Sequence, residues 1–428
     1  ELSGGPIAEA PAEDADSLLP AARVNAVVDP LLADSSGLPD ITELPLHKYE
    51  PRMFLEAIGP PYISSGGGPF GTFVRGGGSL LFSDLLGERK LGLSAQAGNR
   101  LRDVAFSLRF INRARRWNWG GVAELQPSLR GLPRRRVDEQ EGQPTLTRET
   151  HYFERTHFRL AAHAAYPLNR AQRIEVETGA RHIDYRSSVS STSRSLATGR
   201  VLSRTFADAF AGNPATFGEA SVAFVHDTAV LGPTSPIIGG RARFEVASTW
   251  GELSSTRVTV DYRRYLMPVK PYTIAVRLMH LGQYGADVGD LRLLPAFLGS
   301  RTFLRGYGWG SLRCAAGEDG TCTALDELLG SRLAVANLEL RAPVLGVRSR
   351  ELRYGPVPLE AFLFADSGAV WGPAPEFISG GAARRIISSF GAGARVNAFG
   401  LPLEFAAVRA VDAPARGWSF GFTFRRGF

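Results

Sequence analysis

From about Tyr49 onward the chain alternates apolar and polar residues with a period of two. Val104, Phe106, Leu108 and Phe110 alternate with Ala105, Ser107 and Arg109. Trp117, Trp119, Ala123 and Leu125 alternate with Asn118, Glu124 and Gln126, and Ile174 and Val176 with Arg173, Glu175 and Glu177. Val258, Val260 and Tyr262 alternate with Arg257, Thr259, Asp261 and Arg263, and Leu338 and Leu340 with Asn337, Glu339 and Arg341. Successive side chains of a strand point to opposite faces, so each segment predicts a β-strand with one apolar and one charged face. Charges of both signs on the inner face, segment after segment, do not suit a dry sandwich core. They suit a water-filled lumen, with the apolar face turned to lipid.

The end of the chain sharpens this reading. Trp418, Phe420, Phe422, Phe424 and Phe428 share one parity, and Ser419, Gly421, Thr423 and Arg425 take the other. The aromatic row is expected to meet lipid and the small polar row to line a lumen. Sixteen segments of this kind begin near residues 50, 69, 88, 102, 117, 148, 171, 217, 238, 255, 271, 331, 358, 386, 401 and 416. Their connections alternate between short ones, such as residues 87–90, 113–116, 167–172 and 269–271, and long ones, such as 131–148, 187–216 and 285–330. The fold class predicted is all-β: a sixteen-stranded antiparallel transmembrane β-barrel with short turns in the periplasm and long loops outside. An even strand number puts both termini in the periplasm. Residues 1–47, rich in Ala, Pro, Asp and Glu and without alternation, read as a periplasmic tail or linker, and 48–428 as the barrel. The polar, acidic start at Glu1, with no signal peptide in view, reads as a mature or truncated product.

Composition narrows the classes. No segment approaches the roughly 18 apolar residues of a membrane-spanning helix, so the chain crosses a bilayer as a closed barrel or not at all. A hydrophobic content of 44% and a mean hydropathy of −0.07 do not oppose this, because alternating strands average their apolar surface away. The net charge is +7, and Lys48, Lys90 and Lys270 are the only lysines. The arginines are scattered over strands and loops and form no stripe, which argues against a nucleic-acid partner. His47, His151, His157, His163, His182, His226 and His280 show no HExxH or other ligand spacing, and there is no GxSxG elbow. The run Gly306-Tyr-Gly308-Trp-Gly310 is not GxGxxG. No catalytic residue, metal or cofactor is therefore expected. Cys314 and Cys322 lie close together in a polar loop, with spacing unlike a CxxC zinc pair, and are expected to form a disulfide in an oxidising compartment.

The most specific segment precedes the twelfth predicted strand. Leu304-Arg305-Gly306-Tyr307 resembles the (V/I/L)-R-G-(F/Y) motif of the BamA/TamA superfamily of outer-membrane barrels, the bacterial surface antigens. In that family the motif sits in the sixth extracellular loop, between strands eleven and twelve, where the strand count places it here. Asn337-Leu-Glu339-Leu-Arg341-Ala-Pro343 looks like the family's strand twelve. Phe364-Ala-Asp366-Ser-Gly368-Ala-Val370-Trp371 looks like its F-x-D-x-G-x-x-W strand thirteen. Gly391-Ala-Gly393-Ala-Arg395 and Leu401-Pro402-Leu403-Glu404-Phe405 look like strands fourteen and fifteen. Phe82-Ser-Asp84-Leu-Leu-Gly87 and residues 113–120 look like barrels that follow TolB-type β-propellers in some large outer-membrane proteins.

The resemblance implies a sixth loop folded into the lumen, with its Arg meeting an acid on the barrel wall. Asp366 and Glu360 share a parity with Phe362 and Phe364, opposite to the aliphatic Leu359, Ala361, Leu363 and Ala365, so they are expected to face inward, as is Glu339. Arg suits this role because it stays charged and grips carboxylates with a planar fork. The resemblance further implies a weak seam between first and last strands. It also implies polypeptide insertion or translocation at the outer membrane, with outer-membrane lipid, lipopolysaccharide and periplasmic or outer-membrane proteins as partners. Residues 1–47 are too few for one of the periplasmic transport modules of such proteins. A structural anchor or passive pore within an outer-membrane complex is therefore the alternative.

Overall fold

The alternation becomes one antiparallel ladder that follows chain order. A computed structural model describes residues 49–428, apart from 69–70, 99–103, 141–142, 211–212, 291–292, 294, 301, 309–327, 345–357, 374–384, 399–400, 413–416 and 425–426. Strands β1 (Phe54–Ile58) and β2 (Tyr62–Gly68) both pair with β3 (Gly71–Ser83). The ladder continues through β4 (Arg89–Gly98), β5 (Ala105–Asn112), β6 (Asn118–Gln140), β7 (Gln143–Pro167) and β8 (Gln172–Ser195). The far edge of β8 is shared by β9 (Val201–Phe210) and β10 (Ala215–Asp227). The two-residue β11 (Val230–Leu231) pairs with β12 (Pro236–Gly251), which also pairs with β10. Next come β13 (Ser255–Val269) and β14 (Tyr272–Tyr284). Within the following loop, β15 (Ala296–Phe297) and β16 (Leu329–Gly330) make a small separate sheet. The main ladder resumes with β17 (Arg332–Pro343), β18 (Leu359–Trp371), β19 (Ile386–Ala398), β20 (Leu401–Ala410) and β21 (Ser419–Phe424).

Among the described residues there is no helix, and none long and apolar enough to cross a membrane. Nor does a ladder among them close β21 onto β1 or β2, so the sheet is open there.

The short turns are built by side chains that satisfy the backbone locally. Asn169 Oδ1 accepts from the amides of Ala171 and Gln172, both at 2.9 Å. Asp84 Oδ1 accepts from the Arg89 amide at 3.0 Å across a turn that Gly87 completes at a φ of +69°.

Two long connections depart from the sequence reading. Residues 131–148 and 187–216 were expected as loops, but β6 and β7 stay paired out to Gln140 and Gln143, and β8 pairs with β9. Along these extensions the sequence is mostly polar at both parities, and the Thr147 and Ser193 hydroxyls share a hydrogen bond at 3.0 Å. Alternation of hydrophobicity vanishes when neither face is apolar, although the backbone pairing does not.

The two faces of the sheet differ as the alternation requires. Val176, Val222, Val246 and Val258 stand side by side across β8, β10, β12 and β13, and the first three are largely exposed. The opposite face carries the charged residues and the largest buried apolar cluster. There Leu298, Leu304, Tyr307 and Leu328 of the loop pack on Leu333, Val335, Val370 and Ile387 of the sheet.

Candidate functional site

The site is assembled on β17 to β20. On β18, Glu360, Phe362, Phe364 and Asp366 are buried on one face, while Leu363 on the other is 58% exposed. On β17, Asn337, Glu339 and Arg341 share the buried face. Strand β19 adds Arg395, and β20 adds Glu404. The glycines of β19 leave room for the β18 rings. A Cβ at Gly391 would lie 2.8 Å from the Phe364 ring, and one at Gly393 would lie 2.5 Å from the Phe362 ring and press on the Phe405 carbonyl. Gly393→Ala is therefore expected to destabilise the sheet by about 1–3 kcal/mol through overpacking. A lowered thermal unfolding midpoint would show this, and an unchanged midpoint would speak against it.

The loop before β17 delivers Arg305 into this cluster. Its Nε and Nη2 donate to Asp366 Oδ2 and Oδ1 at 2.7 and 2.8 Å, a bidentate fork, and Nη1 donates to Glu339 Oε1 at 2.8 Å. The guanidinium also lies 3.7 Å from the centroid of the Phe364 ring. Neighbouring loop groups hold the approach. Asn337 Nδ2 donates to the Phe303 carbonyl at 2.8 Å and to Asp366 Oδ1 at 2.9 Å. Arg277 Nη1 donates to the Thr302 carbonyl at 2.8 Å. Tyr307 donates its hydroxyl to the Ser388 carbonyl at 2.7 Å. Gly306 has a φ of +91°, and a Cβ there would lie 2.9 Å from Val408 Cγ1, so both backbone and space favour glycine. Burial opposes the charge on Arg305, but the Asp366 hydrogen bonds and the charges of Glu339, Asp366 and Glu404 outweigh it and hold the group above its usual range.

A second arginine, missed by the sequence reading, is the hub of the wall itself. Arg395 donates to Glu339 Oε1 at 2.8 Å, to Glu360 Oε1 at 3.1 Å and to Glu404 Oε2 at 2.7 Å. Its guanidinium lies 3.9 Å from the Phe362 centroid. Arg341 donates to Glu339 Oε2 at 2.8 Å and to the Pro236 carbonyl at 2.9 Å. Glu339, with 0% exposure, thus joins Arg305, Arg341 and Arg395. Glu360 does not bond Arg305: it pairs with Arg395 and accepts from Thr234 and Ser235 at 3.1 and 2.7 Å. Three arginines face four carboxylates with every group hydrogen-bonded, the condition under which buried charge is tolerated. The available signal for Arg395 was its parity with Gly391 and Gly393 in the run quoted above.

The aromatic row of the last strand is only partly as expected. Trp418, Phe420 and Phe422 are exposed, and Phe422 packs against Phe405 with centroids 5.0 Å apart. Phe428 does not continue that row. It is 3% exposed, packs with Tyr265 and Ala275, and its carbonyl accepts from the Tyr265 hydroxyl at 2.7 Å. Strand β21 ends at Phe424, and Gly427 has a φ of +74°, so parity is lost before the last residue. The Phe424 side chain, Cys314 and Cys322 lie outside the described residues. Among the described residues no group of three or more His, Cys, Asp or Glu side chains is arranged for a metal.

Residues 86–427 match the model of the Omp85 superfamily domain. No curated protein matches the chain. Among solved structures, the chain is similar to BamA from Haemophilus ducreyi lacking POTRA domains 1-3, at 15% identity and a TM-score of 0.53. That match covers 85% of this chain and 68% of the other. CdiB from Acinetobacter baumannii aligns at 14% identity with a TM-score of 0.46, covering 86% of this chain and 59% of that one. CdiB from Escherichia coli aligns at 12% identity with a TM-score of 0.48, covering 88% and 63%. The BamA likeness is one of fold: an all-β antiparallel sheet.

Proposed function

We propose, since the chain belongs to the Omp85 superfamily, that it is an outer-membrane β-barrel that inserts or translocates polypeptides together with periplasmic or outer-membrane protein partners. If β1 and β2 form one span, and β9, β11, β15 and β16 are set aside as short or peripheral, the ladder supplies sixteen spans. In this reading β21 meets the first span to close the barrel, and the charged face becomes the lumen. The apolar face meets lipid and lipopolysaccharide. The loop carrying Arg305 then fills part of the lumen, which counts against an open passive pore. Both termini lie in the periplasm. A tag inserted at Thr198, between β8 and β9, is accordingly expected to be labelled on intact cells, and one at the N-terminus is not; surface labelling of the N-terminal tag would reverse the orientation.

The observation that carries the function is the state of the two terminal strands. The first span is interrupted at Gly59-Pro60-Pro61, and β21 is six residues long with a described ladder to β20 alone. Proline removes ladder donors, and a weakly laddered strand edge is a template on which another chain can pair. The test is reconstitution in lipid vesicles with an unfolded outer-membrane β-barrel polypeptide. The reading expects faster acquisition of protease resistance by that polypeptide than in protein-free vesicles. An unchanged rate, with the barrel itself folded, would favour the structural anchor. A steady ion conductance without insertion would favour the pore.

A further inference from the structure

Away from the Arg305 cluster, the charged face holds a cavity of about 380 Å³, within the size range of small-ligand sites. Among the side chains lining it are Arg155 and His157 of β7, Arg181 of β8, Glu219 of β10, Thr249 of β12 and Arg257 of β13. The acids at this cavity already have partners. Glu219 bonds Arg159 and, at 2.9 Å, Arg181, while Glu177 is paired with Arg159. Glu245 is held by Arg243, which does not line the cavity. The positive side is not used up in the same way. Arg257 has no partner among the described residues. Arg181 Nε and His157 Nδ1 are buried without a hydrogen bond. A buried polar atom left unpaired costs free energy unless something supplies its partner.

We propose that this cavity binds the phosphate group of a phosphorylated polar ligand. Arg257 and the Arg181 edge supply the charge-assisted donors. A guanidinium matches the tetrahedral oxygens of phosphate with two parallel N–H donors, which a lysine cannot do. The hydroxyls of Ser221, Ser248 and Thr249 and the carboxylates already in place suit the neutral hydroxyls of a sugar attached to that phosphate. Two sources share this chemistry: a soluble sugar phosphate, or the phosphorylated sugar headgroup of lipopolysaccharide. The site stands on its own residues and does not depend on the polypeptide-handling reading.

The full chain, folded in detergent, is titrated with inorganic phosphate, glucose 6-phosphate and glucose, and separately with lipopolysaccharide before and after enzymatic dephosphorylation. Binding is expected for at least one phosphorylated probe and not for glucose. Saturation by glucose 6-phosphate assigns the soluble source. Binding by lipopolysaccharide alone, lost on dephosphorylation, assigns the headgroup. Arg257→Ala is expected to weaken the bound probe tenfold or more, and Arg257→Lys to recover only part. Arg257 is exposed, so these variants are expected to keep the wild-type unfolding temperature. Ala247→Glu, which places a carboxylate in the same cavity, is a second variant expected to abolish binding. Equal affinity for glucose and its phosphate, no binding of any phosphorylated probe, or full affinity in both Arg257→Ala and Ala247→Glu would overturn the proposal.

Discussion

Glu339→Ala is expected to be the most destabilising single substitution in the wall, at about 3–5 kcal/mol. The residue is fully buried and joins three guanidinium groups, from Arg305 on the loop, Arg341 on its own strand and Arg395 two strands away. Its removal leaves six groups, three positive and three negative, but no carboxylate that joins the three arginines. Arg305 keeps Asp366 and Arg395 keeps Glu360 and Glu404, but Arg341 is left with the Pro236 carbonyl and no carboxylate side chain, a buried charge without a side-chain counter-charge beside it. Glu339→Gln keeps the shape and one acceptor oxygen, so it should lose less than the alanine variant but remain below wild type. The midpoint of unfolding, followed by the mobility shift of the folded chain on heating, reads both. A midpoint for Glu339→Ala equal to wild type would mean that the network contributes specificity and no stability.

Arg305→Ala should act on the loop more than on the sheet. Arg305 makes three charge-assisted bonds to Asp366 and Glu339 from outside the ladder, whereas the strands are held by their own backbone pairing. Losing one partner of a buried pair costs about 3–5 kcal/mol, less where water reaches the remaining acids. Protease cleavage within residues 285–330 should rise several-fold while fragments of β6 to β14 stay resistant. Arg305→Lys should fall between the two, because a single ammonium cannot span both carboxylates with a planar fork. Equal cleavage in wild type and Arg305→Ala would show that the loop is held by its apolar contacts, Leu298, Leu304 and Tyr307, and not by the ion pair.

What could be read from the chain followed the physics of each segment. Strands such as β13 and β18, apolar on one face and charged on the other, announce themselves by alternation, and their first residues lie at or beside the expected positions. The extensions of β6 to β8, and β9, did not, because the runs Arg134 to Arg136 and Ser187 to Ser195 offer no apolar alternation to count. Arg305, Asp366 and Glu339 were legible as a group because parity and a short motif converged on one face. Arg395 and Glu404 were not, since an arginine among alanines and glycines gives no hint of three carboxylate partners on three strands. Phe428 was misplaced for a local reason: parity counting assumes an extended backbone, and the left-handed Gly427 breaks it.

If the chain handles polypeptides at its terminal strands, a client should touch β21 while it inserts. A photo-reactive residue at Phe420, which is 85% exposed on β21, can be compared with one at Leu363, 58% exposed in mid-sheet on β18. Both side chains lie on the same apolar face, so lipid exposure alone does not separate them. During insertion of an unfolded outer-membrane polypeptide into vesicles holding the full chain, adducts are expected at Phe420 and not at Leu363. Equal adducts at the two positions, or none at either while the polypeptide still folds at the rate of protein-free vesicles, would contradict the account.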